Sequence, residues 1–149
     1  MTAEELLKRY EKGERNFGEV DLEGAYLKSI NLSGADLSGA NLNRANMACV
    51  NLSGANMSGA DLEIAILTCA NLTNVDLSNA NLYCTDLDEA KLINTNLREA
   101  TLVSVRIHGV DFTGADLTGA SFTGGGNFIN FHNTVMPDGT IRTEYIDIG

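Results

Sequence analysis

The sequence predicts an all-β solenoid, an elongated domain in which the chain turns a corner every five residues and stacks coil upon coil. Three observations support this prediction. An apolar residue recurs at every fifth position from Phe17 to Phe122, which is 22 positions, and sixteen of them are Leu. The residue two places earlier is Ala thirteen times and Val five times. The residue between these two is Asn nine times and Asp seven times.

A five-residue period fits neither a helix nor a flat strand. On an α-helix a step of five residues rotates by about 140°, so the Leu series would face every side. On a flat strand an odd step sends successive Leu residues to opposite faces. A chain that bends in the last two places of each unit avoids both problems, because the small residue and the Leu then point inward. The other three residues point outward, and any function is expected there.

The 22 units from Arg15 to Gly124 resemble the pentapeptide repeat family. The resemblance implies a right-handed quadrilateral parallel β-helix with about twenty residues per coil, hence about 5.5 coils, in which residues twenty apart stack. The expected organisation is a capping segment 1–14, the repeats 15–124 and a capping segment 125–149. The run 133–140 is similar to a tail of short family members from cyanobacteria and their chloroplast relatives.

Both flanking segments are expected to cover an end of the column. At the N-terminus, Thr2 and Glu5 match a capping box, which predicts a helix from about Ala3 to Lys12 that Gly13 terminates. At the other end, Gly124–Gly126 is interpreted as a flexible exit from the column.

The segment after these glycines is too apolar to be free. It contains nine apolar residues that include Ile148. The turn signal Pro137-Asp138-Gly139 predicts a hairpin between 134–136 and 140–142, folded over the last coil. The alternative is a dimer contact through this apolar end, although a monomer is favoured.

The composition of the chain argues against several classes of function. A net charge of −10 disfavours direct nucleic-acid binding, which needs a basic surface. The chain has no apolar run of membrane-spanning length, and its N-terminus does not resemble a secretory signal. A cytoplasmic protein without membrane contact is expected.

No residue is predicted to be catalytic, to bind a cofactor or to bind a metal, and an enzyme is not expected. The histidines, His108 and His132, have no nucleophile motif beside them, and a Leu/Ala interior leaves no pocket. Asp36, Asp76 and Asp116 alternate with Asn along one side, and we call them the acidic ladder. The alternation separates like charges by roughly 10 Å, which limits their repulsion without a bound cation.

Cys49 and Cys69 are twenty residues apart and are predicted to stack on adjacent coils. A disulfide between them is one alternative, and two free thiols are the favoured one, because parallel side chains need not reach the disulfide dihedral. Cys84 stands apart from this pair.

Four apolar residues occupy outward positions: Ile64, Ile66, Tyr83 and Val103. Stacking places them together on two adjoining sides, rimmed by Arg44, Glu63, Asp86 and Arg106, and we call the four the apolar patch. The sequence therefore predicts a non-enzymatic binding or scaffold protein with an unidentified protein partner.

The alternative is an acidic mimic of DNA that regulates gyrase, a topoisomerase or another nucleic-acid-binding protein, as some members of the family do. Residues 15–124 carry a net charge of −7. Over a column of roughly 26 Å this is about one charge per 4 Å, against about one per 1.7 Å in duplex DNA. The alternative is therefore the weaker one.

Overall fold

The structure, a computed structural model, describes residues 1–147, so Ile148 of the apolar tail lies outside the described residues. Its main feature is a column of stacked coils. Parallel bridges join residues twenty apart, from the pair Asn16 and Asp36 to the pair Asn96 and Asp116. Since each side of a coil is five residues long, this register gives four sides per coil. The predicted stacking of residues twenty apart is confirmed.

Each side ends in a tight turn. Ala40, for example, donates its N–H to the Leu37 carbonyl at 3.1 Å, and Gly39 between them has a φ of +63°. A positive φ at the third residue alone is the signature of a type II turn. The same place in every unit from Glu19 to Gly119 has a positive φ. The extended stretch of a side is therefore only two or three residues, which is why most sides form a single bridge rather than a strand.

The interior is filled by the Leu series and the small residues before it. From Phe17 to Leu117 every member of the Leu series is at most 2 % exposed, which confirms the predicted inward face. Thr85 and Thr95 replace Ala inside the core, and their hydroxyls donate to the carbonyls of Leu62 and Leu72 at 2.8 and 2.7 Å. Buried polar groups are tolerated when they are hydrogen-bonded in this way.

Helix α1 spans Ala3–Glu11 and lies at the first coil. The predicted capping box is present: Glu5 donates its N–H to the Thr2 hydroxyl, and the Glu5 carboxylate accepts from the Thr2 N–H. The helix ends one residue earlier than predicted, with Lys12 as its C-cap. Leu6 is fully buried, and the Tyr10 hydroxyl donates to the Ser33 carbonyl at 2.7 Å.

Six short strands follow towards the C-terminus. Two are parallel, and the others form two antiparallel pairs. The parallel pair is β1 (Thr101–Arg106) with β2 (Ser121–Gly125), and the antiparallel pairs are β3 (Ile129–Asn130) with β6 (Tyr145–Ile146), and β4 (Thr134–Val135) with β5 (Ile141–Arg142).

The predicted hairpin is confirmed by β4 and β5. Thr134 pairs with Arg142 and Val135 with Ile141. Gly139 has a φ of +85° in the connecting turn, and Met136 donates its N–H to the Thr140 carbonyl at 2.7 Å.

The interpretation of Gly124–Gly126 as an exit from the column is wrong. Ile107 donates its N–H to the Gly125 carbonyl, and pairing continues until Gly119 donates to Pro137. What changes is the sequence separation between paired residues. It is twenty for Thr101 and Ser121 but nineteen for Arg106 and Gly125, and it is still nineteen for Asp116 and Val135.

The shortened coil explains the glycines. With one residue fewer, the chain lies close against the coil below it. A Cβ at Gly124 would lie 2.7 Å from Val105 Cγ2, and one at Gly126 would lie 2.7 Å from His108 Cα. Real Cβ atoms do not approach other atoms so closely, so these positions need glycine for space rather than for flexibility.

Gly126→Ala is therefore expected to destabilise the fold by about 1–3 kcal/mol, the usual cost of overpacking a fixed backbone contact. Urea unfolding followed by circular dichroism measures this difference. The matched control is Gly125→Ala, because nothing lies within 4 Å of a Cβ there. Equal unfolding midpoints for the two variants would contradict the explanation.

Candidate functional site

The Asn and Asp residues of the repeat lock its turns. All sixteen at the second place of a unit accept a hydrogen bond from the backbone N–H two residues later. An Asx turn of this kind fixes the chain direction just before the corner. The residue at the second place therefore stabilises the turn, even though its side chain faces outward.

The acidic ladder is part of this turn system. Asp36, Asp76 and Asp116 accept from the N–H of Ser38, Ser78 and Thr118 at 3.0, 2.9 and 2.9 Å. Asn96 donates to Asp76, and Arg98 forms an ion pair with Asp116 at 3.0 Å. Each ladder carboxylate thus has at least one oxygen engaged within the column, which gives these residues a structural role.

Local hydrogen bonds hold two of these carboxylates in the charged form. The hydroxyl and N–H of Ser38 lower the pKa of Asp36 below its ordinary value of 3.8. Partial burial alone would raise the pKa of Asp116, but the hydroxyl and N–H of Thr118, with Arg98, hold it below its ordinary value. Both carboxylates therefore remain charged in the folded protein at neutral pH.

The structure brings the predicted apolar patch together. Ile64 donates its N–H to the Tyr83 carbonyl, and Cys84 donates to the Val103 carbonyl, both at 2.9 Å. Ile66 follows on the adjoining side and bridges to Asp86. The exposed fractions of Ile64, Ile66 and Tyr83 are 41, 39 and 42 %. Val103 is half-buried and is therefore less exposed than the other three.

Ile64 and Ile66 both depart from the chemistry of the turn. Ile64 has a φ of +59°, a conformation that a β-branched side chain strongly disfavours. Ile66 stands at the second place of its unit, where it cannot supply the turn-locking oxygen of Asn or Asp. Neither side chain gains full burial in return. Backbone strain without a local benefit points to a requirement other than stability.

The rim of the patch is charged, with an excess of acid. Arg106 forms ion pairs with Asp86 at 3.6 Å and with Asp88. Arg44 lies 3.8 Å from Glu23, which is one coil earlier on the same side. Glu63 accepts a weak hydrogen bond from Asn81. Since both arginines are paired within the protein, the unpaired charge around the apolar centre is mainly negative.

The structure also exposes apolar residues beyond the patch that the sequence predicts. They are large side chains outside the patch: Tyr26 (67 %), Phe128 (41 %), Ile141 (66 %) and Tyr145 (59 %). Tyr26 could have been found, because it replaces Asn or Asp at the second place of its unit, as Ile66 does. It lies on the same side as Ile66 but two coils away.

Cys49, Cys69 and Cys84 are free thiols in the structure. Within residues 1–147 no group of three or more His, Cys, Asp or Glu is placed to hold a metal ion, and the described surface has no pocket. No helix of the described chain is long and apolar enough to cross a bilayer.

The stacked four-sided column and its five-residue turns define a pentapeptide repeat solenoid. The pentapeptide repeat model matches residues 16–48, 45–82 and 85–124, with eight copies, and the chain belongs to the pentapeptide repeat family. Members of this family form right-handed quadrilateral β-helices and are generally non-enzymatic structural or scaffold proteins.

Solved structures from photosynthetic organisms are similar. A pentapeptide repeat protein from Nostoc is 34 % identical, with 64 % of this chain and 80 % of that chain covered and a TM-score of 0.51. One from the Arabidopsis thaliana thylakoid lumen is 32 % identical, with 65 and 68 % covered and a TM-score of 0.42. HetL of Nostoc, involved in heterocyst differentiation regulation, is 22 % identical, with 95 and 100 % covered and a TM-score of 0.46. No curated protein matches the chain.

Replacing the two unfavourable residues by those of the repeat is expected to stabilise the protein. In Ile64→Gly/Ile66→Asn, glycine removes the left-handed strain and Asn supplies the missing turn oxygen. We expect a gain of about 1–2 kcal/mol and a higher melting temperature. Thermal unfolding followed by circular dichroism measures it. A melting temperature at or below that of the unmodified protein would show that Ile64 and Ile66 do stabilise the column.

The acidic ladder makes a second prediction, on pH. A carboxylate whose pKa is lowered by folding contributes stability above its unfolded value of 3.8 and loses it as the pH falls through the folded value. Asp36→Asn keeps an acceptor oxygen but cannot titrate. It should therefore be less stable than the unmodified protein at pH 7 and equally stable at the lowest pH at which both fold.

Urea titrations across pH 2–7, an assay range set by the carboxyl titration, measure this difference. Glu11→Gln on helix α1 is the control, since its side chain is exposed. A difference between Asp36→Asn and the unmodified protein that stayed constant with pH would contradict the assignment.

Proposed function

We propose that this protein is a non-enzymatic binding module that uses the apolar patch to dock one protein partner. The observation that carries the proposal is the pair Ile64 and Ile66, two exposed apolar residues kept at places where the turn chemistry disfavours them. Departures from local rules at one contiguous surface are typical of functional sites. Tyr83 adds an aromatic side chain of the kind enriched at interaction hot spots.

The chemistry of the patch specifies the partner. An apolar centre requires an apolar anchor residue on the partner, and an acidic rim favours basic residues around that anchor. The proposed partner is therefore a protein surface with an exposed apolar anchor flanked by Lys or Arg. Binding should weaken with salt, because rim charges act mainly on the rate of association.

DNA mimicry receives less support. A mimic needs closely and regularly spaced free negative charges. Successive ladder carboxylates lie two coils apart, about 10 Å, whereas each DNA strand carries a phosphate about every 3.4 Å. Arg98 also neutralises Asp116 within that side. Imitation of DNA is therefore not part of the proposal, and neither is direct contact with nucleic acid, which the net charge of −10 disfavours.

The proposed functional unit is a cytoplasmic monomer without a membrane contact. We expect helix α1 to close one end of the about 5.5 coils of repeat. The segment after Gly124 would close the other end by continuing the column as a shortened coil that leads into the β4–β5 hairpin. Support for this comes from Leu6, which is fully buried in the core, and from Phe131, whose ring stacks on Phe112 at a centroid distance of 5.5 Å. Dimerisation through exposed Ile141 and Tyr145 is the alternative at the C-terminal end.

Affinity capture from the source organism, followed by quantitative binding of the captured protein, tests the docking proposal. Ile64→Gly/Ile66→Asn is the informative variant because it is expected to be more stable, so lost binding cannot come from unfolding. We expect its affinity to fall at least tenfold. Tyr83→Ser/Ile66→Ser should behave in the same way.

Tyr26→Asn is the matched control. It makes the same kind of replacement, at the same place of the repeat and on the same side, but outside the patch. It should bind as the unmodified protein does. Unchanged binding by Ile64→Gly/Ile66→Asn, or an equal loss in Tyr26→Asn, would overturn the proposal.

A further inference from the structure

Cys49 and Cys69 form an exposed pair of thiols on one side of the column. Each stands at the left-handed place of its unit, with nearly identical φ values of +56° and +58°. Cys49 donates its N–H to the Thr68 carbonyl at 2.8 Å, and bridges at Asn46–Ile66 and Asn51–Asn71 hold the register on both sides. Like backbone conformations in register make the two side chains project in parallel from adjacent coils.

This spacing suits a bridging ion better than a disulfide. Adjacent coils are about 4.8 Å apart, so parallel side chains keep their Cβ atoms near that separation. A disulfide needs Cβ atoms about 3.5–4.5 Å apart and a bent dihedral. Two thiolates that bind one ion linearly lie two metal–sulfur bond lengths apart, a separation close to the coil spacing and longer than any direct sulfur–sulfur bond.

The surroundings offer no further ligand. Glu89 is next in the same column, but its carboxylate lies over Gly109, where a Cβ would be 2.8 Å from Glu89 Cδ. No group of three or more metal-binding side chains exists among residues 1–147. Zinc and iron–sulfur clusters take four ligands, whereas thiolates also select Cu(I). A site with two sulfur ligands therefore favours a soft monovalent ion.

We propose that Cys49 and Cys69 form a two-thiolate site for a soft monovalent cation of the Cu(I) class. Binding forms two metal–sulfur bonds, releases the thiol protons to solvent and changes no oxidation state. Each cysteine binds the ion as a thiolate and therefore loses its proton on binding. Affinity should therefore increase with pH.

The test is an anaerobic titration of the reduced full chain with Cu(I) against a chromophoric Cu(I) chelator. We expect the protein to withdraw one Cu(I) per chain from the chelator. Cys49→Ser and Cys69→Ser should each lower the affinity at least 100-fold. X-ray absorption should show two sulfur neighbours around the bound ion.

Cys84→Ser is the matched control, because Cys84 occupies the same place of the repeat, with a φ of +55°, on a different side. It should bind Cu(I) as the unmodified protein does. Circular dichroism of all three variants checks the fold. Full affinity in either Cys49→Ser or Cys69→Ser, or an equal loss in Cys84→Ser, would overturn the proposal.

Discussion

The turn that closes each five-residue side is the constraint on which the rest of the structure depends. Two local features make it: a residue with positive φ at the corner and an Asn or Asp oxygen that holds the preceding N–H. Without the corner the Leu residues would point to both faces, and no common core could form. Burial of Leu and Ala stabilises the column, but the turn determines that this burial can occur.

The turn also explains which parts of the fold and site were predictable. Inward Leu positions, stacking and the 134–142 hairpin follow from short-range patterns, so the sequence was sufficient for them. The shortened coil at Gly124 was not predictable, because it depends on a close contact with Val105 from the coil below. The exposure of Val103 likewise depends on neighbouring coils. The spacing of the acidic ladder can be read from the sequence. The role of its carboxylate oxygens in the turns depends on hydrogen bonds that the spacing does not specify.

An outward-facing position is therefore weak evidence of a functional role. The second place of a unit is tied to the turn, and the fifth place carries the positive φ, so a change at either place affects stability. A residue that departs from either preference carries more information about function than one that is merely apolar and exposed. By this measure Ile64 and Ile66 are more informative than Tyr145, which lies in a segment with no repeat to depart from.

The four-sided register also limits how the gene can change in length. Duplication of one five-residue unit between Ile66 and Tyr83 would preserve the core pattern, yet it would turn everything after it by a quarter of a circle. Tyr83 would then face a different direction from Ile64. Only gains or losses of whole coils, twenty residues at a time, keep the sides aligned. Folding alone therefore allows the number of repeats to change by any number of units. A surface formed by several coils is preserved only when the number of repeats changes by four units at a time.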